Sequence, residues 1–570
     1  MPAHYGHKTL RIISQSSPTG TQFLQAVGCG MAIAKGEKKE IVYVSAGEGT
    51  TSQGDFHEAL NWSSKDKLPV IFHIEDNKYA ISTHISEQTS GESVYHMVAG
   101  YKNLARFQVD GTNFFESHLA FQKAVNRARR GKGPSIIVSD MVRLLSHSSS
   151  DDHRKYRSEE ELESDQQRDP IKRFSDYCIE SEAISAKEFE QIDKDVQEQV
   201  DNDAEWADSR PHPAPEMATR YIYSEFDADL PSDETKPKFI SDKIVMVDAI
   251  NHALREELTR NSKMVVYGQD VADMKGGVFT ATKGLTTEFG RERVFNSPLA
   301  ESSIIGTAVG MASVGWKPVV EIQFGDFIWT GMMQIRNEMA SMRYRSNNDW
   351  ASPVVIRVPV GGYIHGGLCH SQSIEGYFLH LPGVWIVYPS NAADAKGLLK
   401  TACRMDDPVM FMEHKGLYRY ALAATPEPDS DYLLPFGKAR IVQEGSDLSI
   451  FTYGMMVYKS LEAAKTLDET MGASIEILDL RTLNPLDLDS IERSLSKTNK
   501  ALVVYEDNMT NGPGAEISAI ICDHFFELLD GPVKRVAAKD SPVPFSTLLE
   551  DQILPQTEEI VTAAGELLEY

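Results

Sequence analysis

The stretch of sequence that decides the fold runs from Ile41 to Ser82 and reads IVYVSAGEGTTSQGDFHEALNWSSKDKLPVIFHIEDNKYAIS. Two short apolar runs in it, residues 41–45 and 68–74, are long enough for buried strands and too short for helices. Between them the sequence predicts a glycine turn and then a helix from about Phe56 to Ser64. This order of strand, turn, helix and strand indicates an α/β protein with a parallel sheet.

Polar side chains follow both predicted strands. Glu48 lies in the turn Gly47-Glu48-Gly49 after the first strand, and Asn77 follows the second. Because α/β folds place ligands at the carboxyl edge of a parallel sheet, both side chains would project toward a ligand there. A carboxylate, an amide oxygen and a free carbonyl suit Mg²⁺, and the amino terminus of the following helix would attract phosphate. Taken alone, however, a Gly-x-Gly motif after a strand favours a plain tight turn.

The surrounding sequence makes this motif more specific. The segments GEGTTSQGDFHEALN and EDNKYAIS resemble the thiamine diphosphate fingerprint in the α chain of the decarboxylating component of 2-oxo acid dehydrogenase complexes, and the resemblance extends over nearly the whole chain. It implies that thiamine diphosphate binds through Mg²⁺, with Glu48, Asn77 and the carbonyl of Tyr79 as ligands. The other cofactor contacts that it implies in this region are those of Gly47, Gly49 and Ile81.

Composition and charge exclude other classes of function. A chain of 570 residues, 41% apolar and 25% charged, is typical of a soluble globular protein with about three to four domains. Its net charge of −26 argues against nucleic acid or anionic membrane as a partner. Its five cysteines are widely spaced and indicate neither a disulfide framework nor a zinc site. With no long apolar run and no secretory signal at its start, the sequence predicts a cytoplasmic protein.

The segment SSPTGTQ, residues 16–22, precedes the predicted central strand. Its residue types predict a helix start, with Ser17 at the cap and Pro18 at the first helical position. In branched-chain members of the family the matching segment surrounds a potassium ion and touches the cofactor. The resemblance therefore implies a K⁺ site, and the helix-start reading and the ligand reading both stay open. The residues in question are Ser16, Pro18, Thr21 and Gln22.

A polar segment, SHSSSDDHR at residues 146–154, contains no apolar residue. Such a composition usually indicates a solvated loop. The family has His-Ser-x-Ser-Asp-Asp at this place, in an active-site loop whose histidine reaches the substrate and the cofactor phosphate. By this resemblance His147 takes that role, and without bound cofactor we expect the loop to be mobile.

The order of the segments predicts three α/β domains. Dense proline without apolar periodicity marks a linker at residues 206–240, which looks like the joint between family α and β chains that are usually separate polypeptides. The family resemblance implies that residues 1–205 form the diphosphate-binding domain, truncated at its start, and residues 241–424 the pyrimidine-binding domain. It also implies that residues 425–570 form a transketolase-type carboxyl-terminal domain that serves assembly. The fold class is thus α/β, with two thiamine diphosphate-binding parallel-sheet domains and a third α/β domain.

In the second of these domains Glu301 stands in the apolar segment LAESSII at a predicted helix start. Such a glutamate is usually an ordinary residue of the first helical turn. Thiamine diphosphate, however, needs one carboxylic acid against its aminopyrimidine ring nitrogen, and the segment NSPLAE resembles the family segment that supplies it. The same resemblance gives Leu299 a cofactor contact, Gln323 a place at the border of the substrate pocket, and Phe327 a stacking position on the pyrimidine.

A glycine-rich loop with two histidines, GGYIHGGLCHSQS, spans residues 361–373. A histidine in a loop is more often polar surface than catalytic. The family's His-Ser-Gln motif carries a histidine that transfers protons for the intermediate and for the incoming lipoyl thiol. By this match His370 takes the catalytic role and His365 does not.

Together these motifs imply a fused α-β decarboxylating component that acts on a 2-oxo acid and then acylates a lipoyl group on its acyltransferase partner. Branched-chain 2-oxo acids are preferred, because SSPTGTQ, GEGTTSQGD, HSSSDD and EIQFGD resemble that branch more than the pyruvate branch. Pyruvate is the second alternative, and transketolase-like chemistry is the third. The resemblance also implies a homodimer, in which Glu48 and Glu301 of one site come from different copies.

A non-catalytic assembly subunit is the alternative from a different class. Glu75 stands where branched-chain relatives often carry a diphosphate-binding arginine. The sequence also begins after the place of the family's amino-terminal segment, which supplies a Tyr-Arg pair to the diphosphate. We therefore expect this chain to bind thiamine diphosphate weakly.

Overall fold

The structure of the protein is a computed structural model that describes residues 4–36, 39–225 and 230–570. The chain forms two units, each with its own core. The first, Ser17–Arg220, is called the amino-terminal unit below. The second, called the carboxyl-terminal unit, contains Tyr221–Tyr570 and the segment that ends at Ser16. Part of the predicted linker, residues 226–229, lies outside the described residues.

The amino-terminal unit is built on a parallel sheet. Its four main strands have the order β1-β2-β6-β5, so the two strands predicted from the opening stretch are neighbours. A short antiparallel pair, β3 and β4, follows β2. The strands of this unit are β1 (Val42–Gly47), β2 (Val70–Asp76), β3 (Tyr79–Ala80), β4 (Thr83–His84), β5 (Ala105–Asp110) and β6 (Ser135–Asp140).

The helices of this unit connect the strands and then extend beyond them. The second helix begins two residues earlier than predicted and ends one residue later, and three helices follow in the charged segment after residue 157. The helices are α1 (Thr21–Ala34), α2 (Gly54–Lys65), α3 (Val94–Met97), α4 (Phe114–Arg129), α5 (Glu159–Gln167), α6 (Pro170–Glu180) and α7 (Ala186–Asp208).

The predicted start of the first helix is wrong. The helix begins at Thr21 and not at Pro18, because Gly20 has a left-handed backbone conformation with φ of 102° and stands at the cap position. A side chain there would also meet Gln53, since a Cβ added to Gly20 would lie 2.8 Å from that residue's Cβ. Glycine is the residue that adopts such a conformation without strain. Ser17 and Pro18 therefore precede the helix instead of opening it.

The carboxyl-terminal unit contains two larger sheets. A seven-stranded sheet has the order β18-β12-β13-β11-β10-β8-β9, and a five-stranded sheet has the order β15-β17-β16-β19-β20. Within each sheet one edge strand, β18 or β15, is antiparallel and the other strands are parallel. The strands of this unit are β7 (Phe239–Ile244), β8 (Met264–Gly268), β9 (Val294–Asn296), β10 (Lys317–Glu321), β11 (Val355–Val360), β12 (Trp385–Val387), β13 (Val409–His414), β14 (Thr425–Pro428), β15 (Arg440–Gln443), β16 (Leu448–Thr452), β17 (Ile475–Asp479), β18 (Thr482–Asn484), β19 (Ala501–Asn508) and β20 (Lys534–Ala538).

The helices of this unit pack on both sheets. Among them α10 is buried along nearly its whole length, which explains why its sequence is apolar on every side. None of the described helices is long and apolar enough to cross a membrane. The helices are α8 (Met246–Arg260), α9 (Leu285–Phe289), α10 (Glu301–Ser313), α11 (Met342–Arg345), α12 (Glu375–Leu379), α13 (Ala392–Arg404), α14 (Met456–Met471), α15 (Leu488–Thr498), α16 (Pro513–Phe525), α17 (Thr547–Ile553) and α18 (Thr557–Leu568).

The two sheets of this unit are joined by a strand and by a pair of acids. The strand β18 comes from the chain segment of the five-stranded sheet but pairs with β12 of the other sheet. Nearby, Asp507 accepts a hydrogen bond from the backbone of Gly376 at 3.0 Å, and Glu375 accepts one from the hydroxyl of Tyr453 at 2.9 Å. Burial raises the pKa of Asp507 to about 6 and that of Glu375 well above its ordinary value.

This acid pair predicts a pH-dependent stability. A carboxyl group whose folded pKa is above its unfolded value of 3.8 contributes stability below that value and loses the contribution as the pH rises through about 6. Asp507→Asn removes the buried charge and keeps one of the two oxygens that accept backbone hydrogen bonds from Gly376 and Asn508. Because the wild type loses stability as the carboxyl group ionises, we expect the melting temperature of the variant relative to that of the wild type to rise between about pH 5 and neutral pH.

Differential scanning fluorimetry over this pH range measures the effect. The exposed Asp468 gives the control, since Asp468→Asn makes the same chemical change on the surface of the same unit. A difference in melting temperature between Asp507→Asn and the wild type that does not change over this pH range would contradict the prediction.

Candidate functional site

Glu48 is the buried acid of the amino-terminal unit. It follows β1 and begins a short 3₁₀ turn, and only 2% of its surface is exposed. Its Oε2 atom accepts a hydrogen bond from the backbone of Asn77 at 3.2 Å, whereas its Oε1 atom has no hydrogen-bond partner among the described residues. Burial raises the pKa of this carboxyl group. An unpaired buried carboxylate oxygen is costly, and a bound cation would satisfy it.

The other predicted Mg²⁺ ligands lie beside Glu48. The side-chain oxygen of Asn77 accepts a hydrogen bond from the backbone of Tyr79 at 3.0 Å, which fixes the amide after the end of β2. Lys78 between them pairs with Asp76 at 2.7 Å. The sheet edge therefore holds two possible oxygen ligands close together, the carboxylate of Glu48 and the amide of Asn77. This donor set fits a hard cation such as Mg²⁺.

The glycines of this turn differ in their importance. A Cβ added to Gly49 would lie 2.4 Å from the Cβ of Ala80, so glycine is required where this turn contacts the segment after β2. At Gly47 the nearest atom would be 3.9 Å away, which leaves space for a side chain. Ile81 is about half exposed, and its carbonyl accepts a hydrogen bond from Arg143 at 2.8 Å.

A hydrogen-bond network holds the polar loop at residues 146–154. Asp151 accepts bonds from the backbone of His147 at 2.9 Å and from the hydroxyl of Tyr156 at 2.6 Å. Arg143 donates to the same hydroxyl at 2.8 Å. The backbone of His147 is thus fixed while its side chain is exposed. Arg143 was not predicted from the sequence, although it follows the end of β6, where ligand-binding residues of parallel sheets are found.

The residues proposed for K⁺ are divided between the two units. In the amino-terminal unit the carbonyl of Pro18 accepts a bond from the hydroxyl of Thr21 at 3.1 Å, and the side-chain oxygen of Gln22 accepts one from Gly20 at 2.9 Å. Ser16 belongs to the carboxyl-terminal unit, where its hydroxyl donates to Glu338. Within the described ranges, no group of three or more His, Cys, Asp or Glu residues could hold a metal ion.

In the carboxyl-terminal unit Glu301 is the first residue of α10 and is half-buried. Its Oε1 atom accepts a hydrogen bond from the amide of Gln269 at 3.0 Å, and its Oε2 atom lies 3.4 Å from the hydroxyl of Thr330. Both oxygens are therefore oriented by neighbouring side chains. Gln269 was not singled out from the sequence, yet it directly follows β8 and so lies at the carboxyl end of a parallel strand.

The other predicted residues of this unit lie on segments that follow β9 and β10. Leu299 is 82% exposed and precedes α10. Gln323 donates to Asp270 at 3.0 Å, so its amide is engaged with a residue that follows β8. The ring of Phe327 packs edge-to-face against His370, with 5.4 Å between the ring centroids. Phe327 and His370, which are distant in sequence, are thus in contact.

The two histidines of the glycine-rich loop have different surroundings. His370 contacts the aromatic rings of Phe324 and Phe327, with centroid distances of 4.7 and 5.4 Å. The side chain of His365 instead pairs with Glu550, a buried acid of α17. Of the two histidines, therefore, only His370 contacts Phe327, which the sequence predicts to bind the cofactor.

Three protein-family models match successive parts of this chain. "Dehydrogenase E1 component" matches residues 1–216, "Transketolase, pyrimidine binding domain" matches residues 242–421, and "Transketolase, C-terminal domain" matches residues 437–560. Together with the parallel sheets described above, these matches confirm the predicted fold class. They also confirm that segments similar to an E1 component and to the two transketolase domains are fused in one polypeptide.

Relatives from Bacillus subtilis match more than half of the chain. The subunit beta of 2-oxoisovalerate dehydrogenase from Bacillus subtilis is 47% identical over 325 residues, which are 57% of this chain and 98% of the relative. The E1 component subunit beta of pyruvate dehydrogenase from the same organism is 46% identical over 328 residues, 58% of this chain and 99% of the relative. A solved structure of a split-gene transketolase, an inactive beta4 tetramer, has a TM-score of 0.47 and 25% identity and covers 57% of this chain and 99% of its own.

Replacing Glu48 should have opposite effects on the stability of the cofactor-free protein and on its affinity for the cofactor. Glu48→Gln removes the buried charge and keeps an acceptor for the backbone of Asn77. We expect the variant without cofactor to melt at or above the wild-type temperature. Because one interaction with a charged group contributes about 1.5–3 kcal/mol, we expect affinity for Mg²⁺ and thiamine diphosphate to fall about 10- to 100-fold.

Thermal shift titrations with Mg²⁺ and thiamine diphosphate measure both effects. Glu180→Gln, at the exposed end of α6, makes the same chemical change elsewhere in the unit and should leave the titration unchanged. A Glu48→Gln variant that is stabilised by the cofactor as strongly as the wild type would exclude Glu48 from the metal site.

Proposed function

Because this chain belongs to the E1 component family of thiamine diphosphate-dependent 2-oxo acid dehydrogenases, we propose that it decarboxylates a branched-chain 2-oxo acid and transfers the acyl group to a lipoyl group. The acceptor would be carried by the acyltransferase component of the complex. The fused arrangement supports this proposal, since an E1-like segment and both transketolase-like domains are present in one chain.

The observation that carries the proposal is the free oxygen of Glu48. This acid is 2% exposed, accepts a bond from the backbone of Asn77 and has one oxygen without a hydrogen-bond partner among the described residues, so it is suited to bind a cation. In a thiamine diphosphate site the diphosphate and Mg²⁺ bind together, because Mg²⁺ commonly completes its shell with phosphate oxygens and water. Glu48, Asn77 and the carbonyl of Tyr79 would be the protein ligands of Mg²⁺.

When bound, thiamine diphosphate supplies the electron sink that decarboxylation requires. The protein must hold an acid against its ring nitrogen, and Glu301 is the proposed acid. The amide of Gln269 donates a hydrogen bond to one oxygen of Glu301 at 3.0 Å, and the hydroxyl of Thr330 lies near the other oxygen. A positioned acid of this kind supplies a proton at that nitrogen without reorganisation. Phe327 and Leu299 would contact the cofactor, and Gln323 would border the substrate.

The two remaining proposed catalytic residues are histidines. His370, packed between Phe324 and Phe327, would move protons for the lipoyl acceptor. His147, exposed on a loop whose backbone is fixed by Asp151, would contact the substrate and the cofactor phosphate. The proposal therefore divides the reaction between two histidines on separate loops.

Branched-chain substrates are supported by the motifs SSPTGTQ, GEGTTSQGD, HSSSDD and EIQFGD. The relatives do not decide between the two substrate classes, since a 2-oxoisovalerate dehydrogenase subunit and a pyruvate dehydrogenase subunit are 47% and 46% identical to this chain. Pyruvate is the second candidate substrate.

The proposal also includes K⁺ at the segment of residues 16–22 and a homodimer, for which light scattering should give about twice the 63.5 kDa of one chain.

Activity with an artificial oxidant tests the proposed reaction. The wild type with Mg²⁺ and thiamine diphosphate should oxidise 3-methyl-2-oxobutanoate with ferricyanide faster than it oxidises pyruvate. Glu301→Gln keeps the shape and the bond to Gln269 but weakens proton donation, so we expect a loss of about 10²- to 10⁴-fold in rate. Circular dichroism should show unchanged folding.

Glu516→Gln on α16 is the matched control and should keep wild-type turnover. Turnover of Glu301→Gln close to that of the wild type would remove Glu301 from the mechanism. Isothermal titration calorimetry distinguishes the proposed enzyme from a non-catalytic assembly subunit. If the wild type binds no thiamine diphosphate in the presence of Mg²⁺, the chain does not catalyse the proposed reaction.

Alanine substitutions of the two histidines should impair different steps of the reaction. His370→Ala should lower acylation of a lipoyl domain while oxidation with ferricyanide continues, and His147→Ala should raise the KM for the 2-oxo acid. Both variants should still bind Mg²⁺ and thiamine diphosphate. Complete loss of cofactor binding in either variant would show that the assigned role of that histidine is wrong.

A further inference from the structure

The loop that carries His370 contains two strained residues. It connects β11 to α12 and is closed by a hydrogen bond from the backbone of Gly361 to the carbonyl of Gln372 at 3.1 Å. Within it Tyr363 and His365 have left-handed backbone conformations, with φ of 60° and 55°. Such conformations are uncommon for residues other than glycine and persist only where surrounding structure holds them. The shape of the loop therefore depends on contacts from outside it.

One buried carboxylate contacts both strained residues. Glu550 of α17 is fully buried, and its Oε1 atom accepts a hydrogen bond from the backbone of Tyr363 at 3.0 Å. Its Oε2 atom contacts the Nδ1 atom of His365. The hydroxyl of Tyr363 also donates to the carbonyl of Pro555, just after α17, at 2.8 Å. Both left-handed residues are therefore held by one short segment of the chain, residues 543–555.

The same segment also holds the loop beyond His370. The backbone of Val543 donates a hydrogen bond to the side-chain oxygen of Gln372 at 3.3 Å. The side-chain nitrogen of Gln372 in turn donates to the carbonyl of Leu368 at 3.0 Å, so this amide connects the two sides of the histidine. The segment that contains Glu550 therefore contacts the loop both before and after His370.

We propose that Glu550 is a positioning residue for His370, because its one carboxylate holds both strained residues of the loop. This inference rests on the proposed function, in which His370 serves the lipoyl acceptor. A buried carboxylate opposes folding where polar partners are lacking, and each oxygen of Glu550 contacts the loop. Removal of this carboxylate would release Tyr363 and His365 from their left-handed conformations, and the loop would lose the shape that places His370.

The test compares two half-reactions in Glu550→Ala, which removes both contacts with the loop. Because a misplacement of about 1 Å can reduce a rate about 10²-fold, we expect the rate of acylation of a lipoyl domain to fall about 10- to 100-fold. The rate of oxidation of the 2-oxo acid with ferricyanide should stay within about threefold of the wild type, since this step does not use His370 in the proposal. Glu550→Gln keeps an acceptor for the backbone of Tyr363 and should recover part of the acylation rate.

Glu257→Ala is the matched control. Glu257 is a fully buried glutamate of the same unit, and its carboxylate pairs with Arg260 at 2.6 Å and with Arg404 at 2.7 Å. We expect this variant to lose thermal stability while the ratio of the two half-reaction rates stays that of the wild type. Acylation by Glu550→Ala at the wild-type rate, or an equal fall in both half-reactions, would overturn the inference.

His365→Gly keeps the test decisive if Glu550→Ala fails to fold. It removes the imidazole that contacts Glu550, and glycine adopts the left-handed conformation without strain. We expect a selective loss of acylation without a fall in melting temperature. Acylation at the wild-type rate in His365→Gly would also overturn the inference.

Hydrogen exchange of residues 361–373 gives a readout that does not depend on the reaction. Exchange should be faster in Glu550→Ala than in the wild type and unchanged in Glu257→Ala, because only the first variant releases the loop. Equal exchange in Glu550→Ala and the wild type would overturn the inference. If the wild type oxidised no 2-oxo acid, the proposed function itself would fail, and hydrogen exchange would still show whether Glu550 holds the loop.

Discussion

The parallel alignment of the strands is the constraint on which the candidate site depends. In a parallel sheet all carboxyl ends lie at one edge, so residues that follow different strands meet there although they are distant in sequence. Glu48, Asn77 and Arg143 follow three strands of the amino-terminal sheet. Gln269 and Lys415 follow two strands of the seven-stranded sheet. The apolar strands therefore determine both the core and the arrangement of the polar groups.

Each unit contains, at a strand end, a buried charged group that the fold alone does not require. One oxygen of Glu48 and the ammonium group of Lys415 are buried, and no described residue forms a hydrogen bond with either. The buried Arg357, by contrast, pairs with both Glu321 and Glu413. Unpaired buried charges oppose folding. Their presence at the edge of the parallel sheets is consistent with a role in ligand binding.

Two acids from the end of the chain hold the loop that carries His370. Glu506 and Glu550 come from the part of the chain that matches the transketolase C-terminal domain, yet both bind the loop that carries His370. This part of the chain is therefore in direct contact with the candidate site.

The sequence by itself determined the strands around Glu48, the parallel α/β fold and the residues carried by local motifs, because strands of β-branched residues and glycine turns are encoded within a few positions. It did not locate the start of the first helix, where the left-handed Gly20 overrides the residue preferences of Ser17 and Pro18. Gln269, Arg143 and Glu550 were also missed. Each acts through partners distant in sequence, so only the tertiary structure, which decides which strand ends are neighbours, shows what these side chains contact.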